Sequence, residues 1–130
     1  ADRYKAKMNM AQGAGHDFSV GWLLDREGDD VHEAPNLSLG AGNANGIGIF
    51  LDLLGNDKYA SSGITLGKAA DAGPTGLRSR ALCLGVFLDF QGDDVYPEGL
   101  PWAKSATRTA NWTQKHPKAE ESQGGVFWDR

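Results

Sequence analysis

The sequence predicts an all-β fold, specifically a right-handed parallel β-solenoid of about four coils with long loop insertions. Three observations lead there. One phrase returns along a chain of 130 residues: SVGWLLDREGDDVHEAP (19–35), GIGIFLDLLGNDKYASSG (46–63) and LGVFLDFQGDDVYPEG (84–99), with a shortened GGVFWDR at 124–130. Internal repetition at this period is the mark of solenoids, propellers and arrays. Within each copy apolar residues alternate with period two and end on Asp-x-x-Gly, a strand running into a turn. Finally, the copies are unevenly spaced. Asp25, Asp52, Asp89 and Asp129 follow one another at 27, 37 and 40 residues. A propeller blade needs roughly 40–45 residues, so the shortest unit favours one coil per unit over one blade; a stack of β-hairpins is the third arrangement the pattern allows.

The positions repeat in detail. Counted from each of those aspartates, Gly stands four residues before (Gly21, Gly48, Gly85, Gly125) and three after (Gly28, Gly55, Gly92). Asp follows at five (Asp30, Asp57, Asp94) and an aromatic ring at seven (His32, Tyr59, Tyr96). Asp2 and Tyr4 fit the same two slots of an earlier unit, and Gly13 and Gly15 recur as Gly40 and Gly42. The chain thus reads as a single repeat domain over 1–130, with units around 1–17, 18–45, 46–81, 82–123 and 124–130.

The strands are placed by alternation. Val20, Trp22 and Leu24 alternate with Gly21 and Leu23; Ile47, Ile49 and Leu51 with Gly48 and Phe50; Leu84, Val86 and Leu88 with Gly85 and Phe87. One face is wholly apolar and the other carries Gly, then Leu or Phe, then Asp. Such runs fit strands buried on one face and partly covered on the other. The segments 68–80 and 100–122 absorb the variable spacing and read as surface insertions.

The quoted phrases resemble repeats of the form G-x-G-x-x-x-D-x-x-G-D-D-x-Y found in large bacterial proteins predicted to be exported. GIGIFLDLLGNDKY and LGVFLDFQGDDVY carry the resemblance, which spans most of the chain. His32 replaces the Tyr, Asn56 replaces the first turn Asp, and the glycine spacing degenerates in the last two units. The resemblance implies a repeat scaffold, extracellular or at a bacterial cell surface, and implies no activity.

Composition narrows function by exclusion. The net charge of −4 argues against a phosphate-backbone binder. No apolar run approaches the ~20 residues of a membrane helix. The single Cys83 allows no intrachain disulfide and no site of paired cysteines. GAGNANGIG (40–48) precedes a strand and opens no helix, so it reads as a tight bend and not a dinucleotide loop. His16-Asp17 lacks a nucleophile in a recognisable elbow and reads as loop.

The acidic turns carry the remaining signal. In a coil stack Asp25, Asp52, Asp89 and Asp129 form a ladder of like charges about 4.8 Å apart, which needs compensation. The favoured reading is structural: each Asp accepts N–H groups of its own turn, and Gly28, Gly55 and Gly92 supply positive φ. The other is calcium held between turns by Asp29, Asp30, Asn56, Asp57, Asp93 and Asp94, whose oxygens suit that ion. Tyr59 and Tyr96 are expected to pack on the neighbouring coil, and Phe50, Phe87 and Phe127 in the core. Trp102, Arg108, Trp112 and Lys115 break the repeat, and contact with a partner or coverage of a coil face are the readings for them. The asparagines of Asn36-Leu37-Ser38 and Asn111-Trp112-Thr113 match a glycosylation pattern.

The functional expectation is a non-catalytic scaffold. Its partners would be other copies or flanking segments of a longer parent chain, with no nucleic acid and no membrane insertion. Arg130 of one copy and Ala1 of the next would lack two residues of the motif between them. The chain is therefore expected to be either a piece of a longer array or a subunit of a head-to-tail fibre. The rivals are a calcium-assisted carbohydrate-active β-helix enzyme, with Arg78 or Arg80 near the acids, and a β-propeller-type adhesion module.

Overall fold

A computed structural model describes residues 1–70, 76–100, 102, 112–115 and 123–130. These form ten short strands: β1 Arg3–Lys5, β2 Gly15–His16, β3 Val20–Asp25, β4 Val31–Glu33, β5 Gly42–Asn43, β6 Ile47–Asp52, β7 Lys58–Ala60, β8 Cys83–Asp89, β9 Trp112–Lys115 and β10 Gln123–Asp129. A 3-10 turn spans Leu77–Arg80. The fold is nearly all β, with parallel sheets. The sheet orders are β1-β4-β7, β2-β5 and β3-β6-β8-β10-β9.

Parallel pairing follows the repeat residue for residue. Gly21, Gly48, Gly85 and Gly125 are successive register partners, as are Asp25, Asp52, Asp89 and Asp129. Tyr4, His32 and Tyr59 align in the second sheet. Strands of different units therefore lie in shared sheets.

Alternation is present, but hydropathy alone points to the wrong face. The buried face is the Gly-Phe-Asp one: Phe50, Phe87 and Phe127 are fully buried, with Asp52 and Asp89 beside them. The wholly apolar face lies outward, and on β3 Val20, Trp22 and Leu24 are exposed. Two packing arrangements explain the choice. At the glycine end of each strand two backbones touch: a Cβ on Gly48 would stand 2.1 Å from the Ala41 oxygen, and one on Gly21 would stand 1.9 Å from that of Ala14. At the other end the rings stack. Phe50, Phe87 and Phe127 lie 5.2 and 5.3 Å apart, near-parallel. Tyr4, His32, Tyr59 and Tyr96 stack at 4.6, 5.5 and 5.2 Å. The two columns meet edge to face, the arrangement that ring quadrupoles favour.

The turn glycines have a different reason from the expected one. Of the three, only Gly28 has positive φ, at 146°. A Cβ on Gly55 would sit 1.8 Å from the Gly28 oxygen, and one on Gly92 would sit 1.9 Å from that of Gly55. Close stacking of turn on turn excludes a side chain there.

The repeat also continues where its letters fade. Gln12-Gly13, Leu39-Gly40 and Leu66-Gly67 each place two consecutive residues at positive φ, and Ser38 bridges to Thr65 as Gly42 does to Ala69. The 27-residue spacing thus runs to Ala69, and the extra residues of that unit fall between Ala70 and Cys83. Part of this insertion spans earlier units. The Arg78 guanidinium pairs with Asp17 and donates to the Ala44 oxygen at 3.2 Å, while the Asn45 amide donates to the oxygens of Arg78 and Ala81.

The 100–122 insertion is corrected at one place. Trp112–Lys115 forms a strand, β9, that runs antiparallel along β10. A β10 edge otherwise left open gains a partner. Arg108, Asn111 and His116 lie outside the described residues.

We expect Gly48→Ala to destabilise the protein by about 2–3 kcal/mol, because the obstacle is backbone and cannot rotate away. Urea unfolding measures this; an unchanged midpoint would show that the two backbones can separate at no cost.

Candidate functional site

The residues singled out by the repeat converge on the seam between the strand ends and the aromatic column. Asp25, Asp52, Asp89 and Asp129 end their strands with side chains turned into the core, and all four are buried. The first three lie beside the rings seven residues on, and Asp129 lies beside Tyr96. The Tyr59 hydroxyl lies 2.7 Å from Asp52 Oδ2 and 3.0 Å from Asp89 Oδ2, and the Tyr96 hydroxyl lies 2.9 Å from the same Asp89 oxygen. A phenol has one proton to give. Both Tyr59 contacts are satisfied when Tyr59 donates to Asp52 and a protonated Asp89 donates to Tyr59. Burial pushes the Asp89 carboxyl up to about 8, which keeps that proton at neutral pH. The result is a chain of donors, Tyr96 to Asp89 to Tyr59 to Asp52, in which each bond polarises the next. The main compensation for the carboxylate ladder comes from the tyrosines, where the turn's own N–H groups were expected.

The six residues expected to hold calcium divide into two rows with separate work. Asp29, Asn56 and Asp93 form an outer row: Asp29 Oδ1 accepts from the Asn56 N–H at 2.9 Å, and Asn56 Oδ1 accepts from the Asp93 N–H at 2.9 Å. Asp30, Asp57 and Asp94 form a buried row that runs the other way. The Asp30 N–H donates to Asp57 Oδ1 and the Asp57 N–H to Asp94 Oδ1, each at 2.7 Å. Each row ties one turn to the next, which explains why the turn carries two adjacent acids or amides.

Two buried clusters emerge that span strand and turn. Carboxylate oxygens of Asp57, Asp89 and Asp94 come within 4.8 Å of one another, as do donor atoms of Asp25, His32 and Asp52. In the first cluster Asp57 Oδ2, Asp89 Oδ1 and Asp94 Oδ2 have no hydrogen-bond partner. Desolvation raises all three carboxyls, Asp57 to about 7, and the charges of Asp52, Asp30 and Asp93 around them add to the effect. In the second cluster His32 occupies a tyrosine slot, and its Nε2 lies 3.5 Å from Asp25 Oδ2 and 3.9 Å from Asp52 Oδ2. The departure from Tyr was legible in the sequence; that it opened a gap between two buried carboxylates was not.

The remaining candidates have structural partners. Trp102 packs against the core, its indole N–H donates to the Thr65 oxygen at 3.3 Å, and Lys68 Nζ sits 4.2 Å above its ring. That is coverage of the interior. Trp112 and Lys115 are placed by backbone alone, in β9. His16 and Asn43 meet on the surface at 2.9 Å. Cys83 is buried and its thiol donates to the Ala70 oxygen at 3.2 Å. No family model, curated protein or solved structure matches the chain.

Tyr59→Phe removes a hydroxyl shared by two buried acids, and we expect a loss of about 1–3 kcal/mol in urea unfolding. The acids also set a pH dependence. Their folded pKa values lie above the unfolded value of 3.8, so the folded state binds more protons. This stabilisation is complete below about pH 4 and is lost as pH rises through 7 to 8. The urea midpoint is therefore expected to fall from pH 5 to pH 8.5, with a change on the order of 1–3 kcal/mol, and Asp89→Asn should flatten the slope. A midpoint that climbs over this range would contradict the buried-acid arrangement.

Proposed function

We propose that the chain is a non-catalytic scaffold module, a right-handed parallel β-solenoid of about four coils whose units extend by stacking on further units of the same kind. The observation that carries this reading is the register. Equivalent residues of successive units pair in shared parallel sheets, and both turn rows pass hydrogen bonds from one unit to the next. Handedness follows the general rule for parallel crossovers. Shared sheets weigh against the propeller, whose units would sit in separate blades.

Stacking is open-ended in its chemistry. A turn that covers Gly92 as Gly92 covers Gly55 would continue both rows. A groove lined by Asn56, Phe90, Gln91, Gly92, Asp93 and Arg130 lies beside that position. Contacts of this type are heterologous and lead to fibres or to longer arrays of one chain.

The enzyme reading has less support. It required an Arg or Lys free to act beside the acids. Arg78 is engaged by Asp17, by the Ala44 oxygen and by the ring of Phe18, 4.8 Å away; Arg80 is exposed, whereas the repeated acids Asp25, Asp52, Asp89 and Asp129 are buried.

Light scattering with electron microscopy tests the scaffold. The expected result is concentration-dependent association into filaments whose diffraction shows a meridional spacing of about 4.8 Å. A monodisperse monomer at every concentration removes the fibre, and cleavage of an anionic polysaccharide abolished by Asp89→Asn removes the scaffold altogether.

A further inference from the structure

His32 is the one ring in its column without a hydroxyl, and the atoms around it leave an imbalance that the tyrosine positions do not have. The orientation of the imidazole is fixed from behind. The Gln12 amide nitrogen donates to the oxygens of Glu33 at 3.0 Å and Tyr4 at 3.3 Å. Its Oε1 therefore faces His32 Nδ1, at 3.1 Å. Nδ1 must carry the proton of that bond, which leaves Nε2 with a bare lone pair in the neutral ring. That lone pair looks toward Asp25 Oδ2 and Asp52 Oδ2. Nε2 and Asp25 Oδ2 have no hydrogen-bond partner, and His32 is fully buried, Asp25 more than nine-tenths buried. Nε2 and Asp25 Oδ2 thus converge with no donor between them, beside Asp52 Oδ2, which accepts from the Tyr59 hydroxyl at 2.7 Å, in a site closed by Tyr4 on one side of the ring and Tyr59 on the other.

A cation resolves this. We propose that Asp25, His32 and Asp52 bind one divalent transition metal of the zinc class, as a structural tie between the first two full units. The chemistry of the donor set selects the ion. An imidazole nitrogen with two carboxylate oxygens suits zinc and its neighbours, whereas calcium takes oxygen donors. The spacing is also suitable: donors about 2.1 Å from a tetrahedral ion stand about 3.4 Å apart, against the 3.5 and 3.9 Å found from Nε2. Gln12 would serve as the outer partner that orients the histidine, and the Tyr59 hydroxyl as the one that orients Asp52. A proton on Nε2 is the competing occupant.

Zinc and cobalt titrations of chelator-stripped protein test the site. One equivalent of Zn2+ per chain is expected, with a rise in melting temperature. Co2+ in its place should give the visible spectrum of a four-coordinate nitrogen–oxygen site, and Ca2+ should produce neither effect. His32→Tyr restores the residue of the other units and should fold, with its hydroxyl between Asp25 and Asp52. It is expected to weaken Zn2+ binding by more than about 100-fold, since loss of an outer partner alone costs 10–100-fold. Asp25→Asn provides a second variant that leaves the ring column intact, and His16→Ala should leave binding unchanged. No bound Zn2+ at micromolar concentration, equal binding by His32→Tyr, preference for Ca2+, or an Nε2 found protonated at pH 7 by nitrogen NMR would each overturn the proposal.

Discussion

A carboxylate buried among aromatic rings must be given a donor or a proton, and in this protein that requirement sets the register of every layer. Asp52 and Asp89 share the Tyr59 hydroxyl at 2.7 and 3.0 Å. A strand slipped by one residue would turn its Asp outward and its Leu inward, and would leave that phenol without an acceptor. Apolar packing alone tolerates such slips more readily, because dispersion is not directional. The polar seam is directional, and buried polar groups left unpaired cost about 1–3 kcal/mol each. Asp30, Asp57 and Asp94 enforce the same alignment from the turn side, where each of the latter two carboxylates receives the N–H of the unit before it.

The opposite end of each strand solves a different problem. There the interior is only two backbones thick, and Gly48 faces the Ala41 oxygen with no room for a methyl group. The cross-section is thus thin on the glycine side and wide on the ring side. A motif with Gly four residues before Asp and an aromatic seven after it encodes both widths. Insertions can leave only where neither constraint acts, which is why the extra residues of one unit fall between Ala70 and Cys83, after the Leu66-Gly67 bend is complete.

Much of this was legible in the letters. The strands, the parallel pairing of equivalent aspartates and the stacked aromatics follow from fixed offsets in the repeat. The buried face was legible only in part: Phe50, Phe87 and Phe127 were expected in the core and lie there, but hydropathy ranks Val20, Trp22 and Leu24 above Gly21, Leu23 and Asp25, while burial is decided by what the opposite wall can accept. That wall offers a backbone to Gly and a phenol or imidazole to Asp. The third copy of the bend was also hidden: Leu66-Gly67 shares its backbone conformation with Leu39-Gly40, but its neighbours Thr65 and Ala69 differ in letter from Ser38 and Gly42. Strand β9 could not be read at all, since Trp112–Lys115 has too few residues to show a period.

A periodic stack makes a single substitution unusually consequential. In an ordinary core a changed side chain is accommodated by several neighbours of different kinds. Here the neighbours above and below are copies held in register, so a missing group leaves a hole of defined shape. His32 keeps the planar ring that the column requires, 4.6 Å from Tyr4 and 5.5 Å from Tyr59. It loses the hydroxyl that would have joined Asp25 to Asp52. Neither aspartate can turn away, because each ends a strand pinned on both sides or at its glycine end. The imbalance therefore stays between three named side chains, and a regular scaffold acquires specific chemistry at the rung where His32 interrupts its tyrosine column.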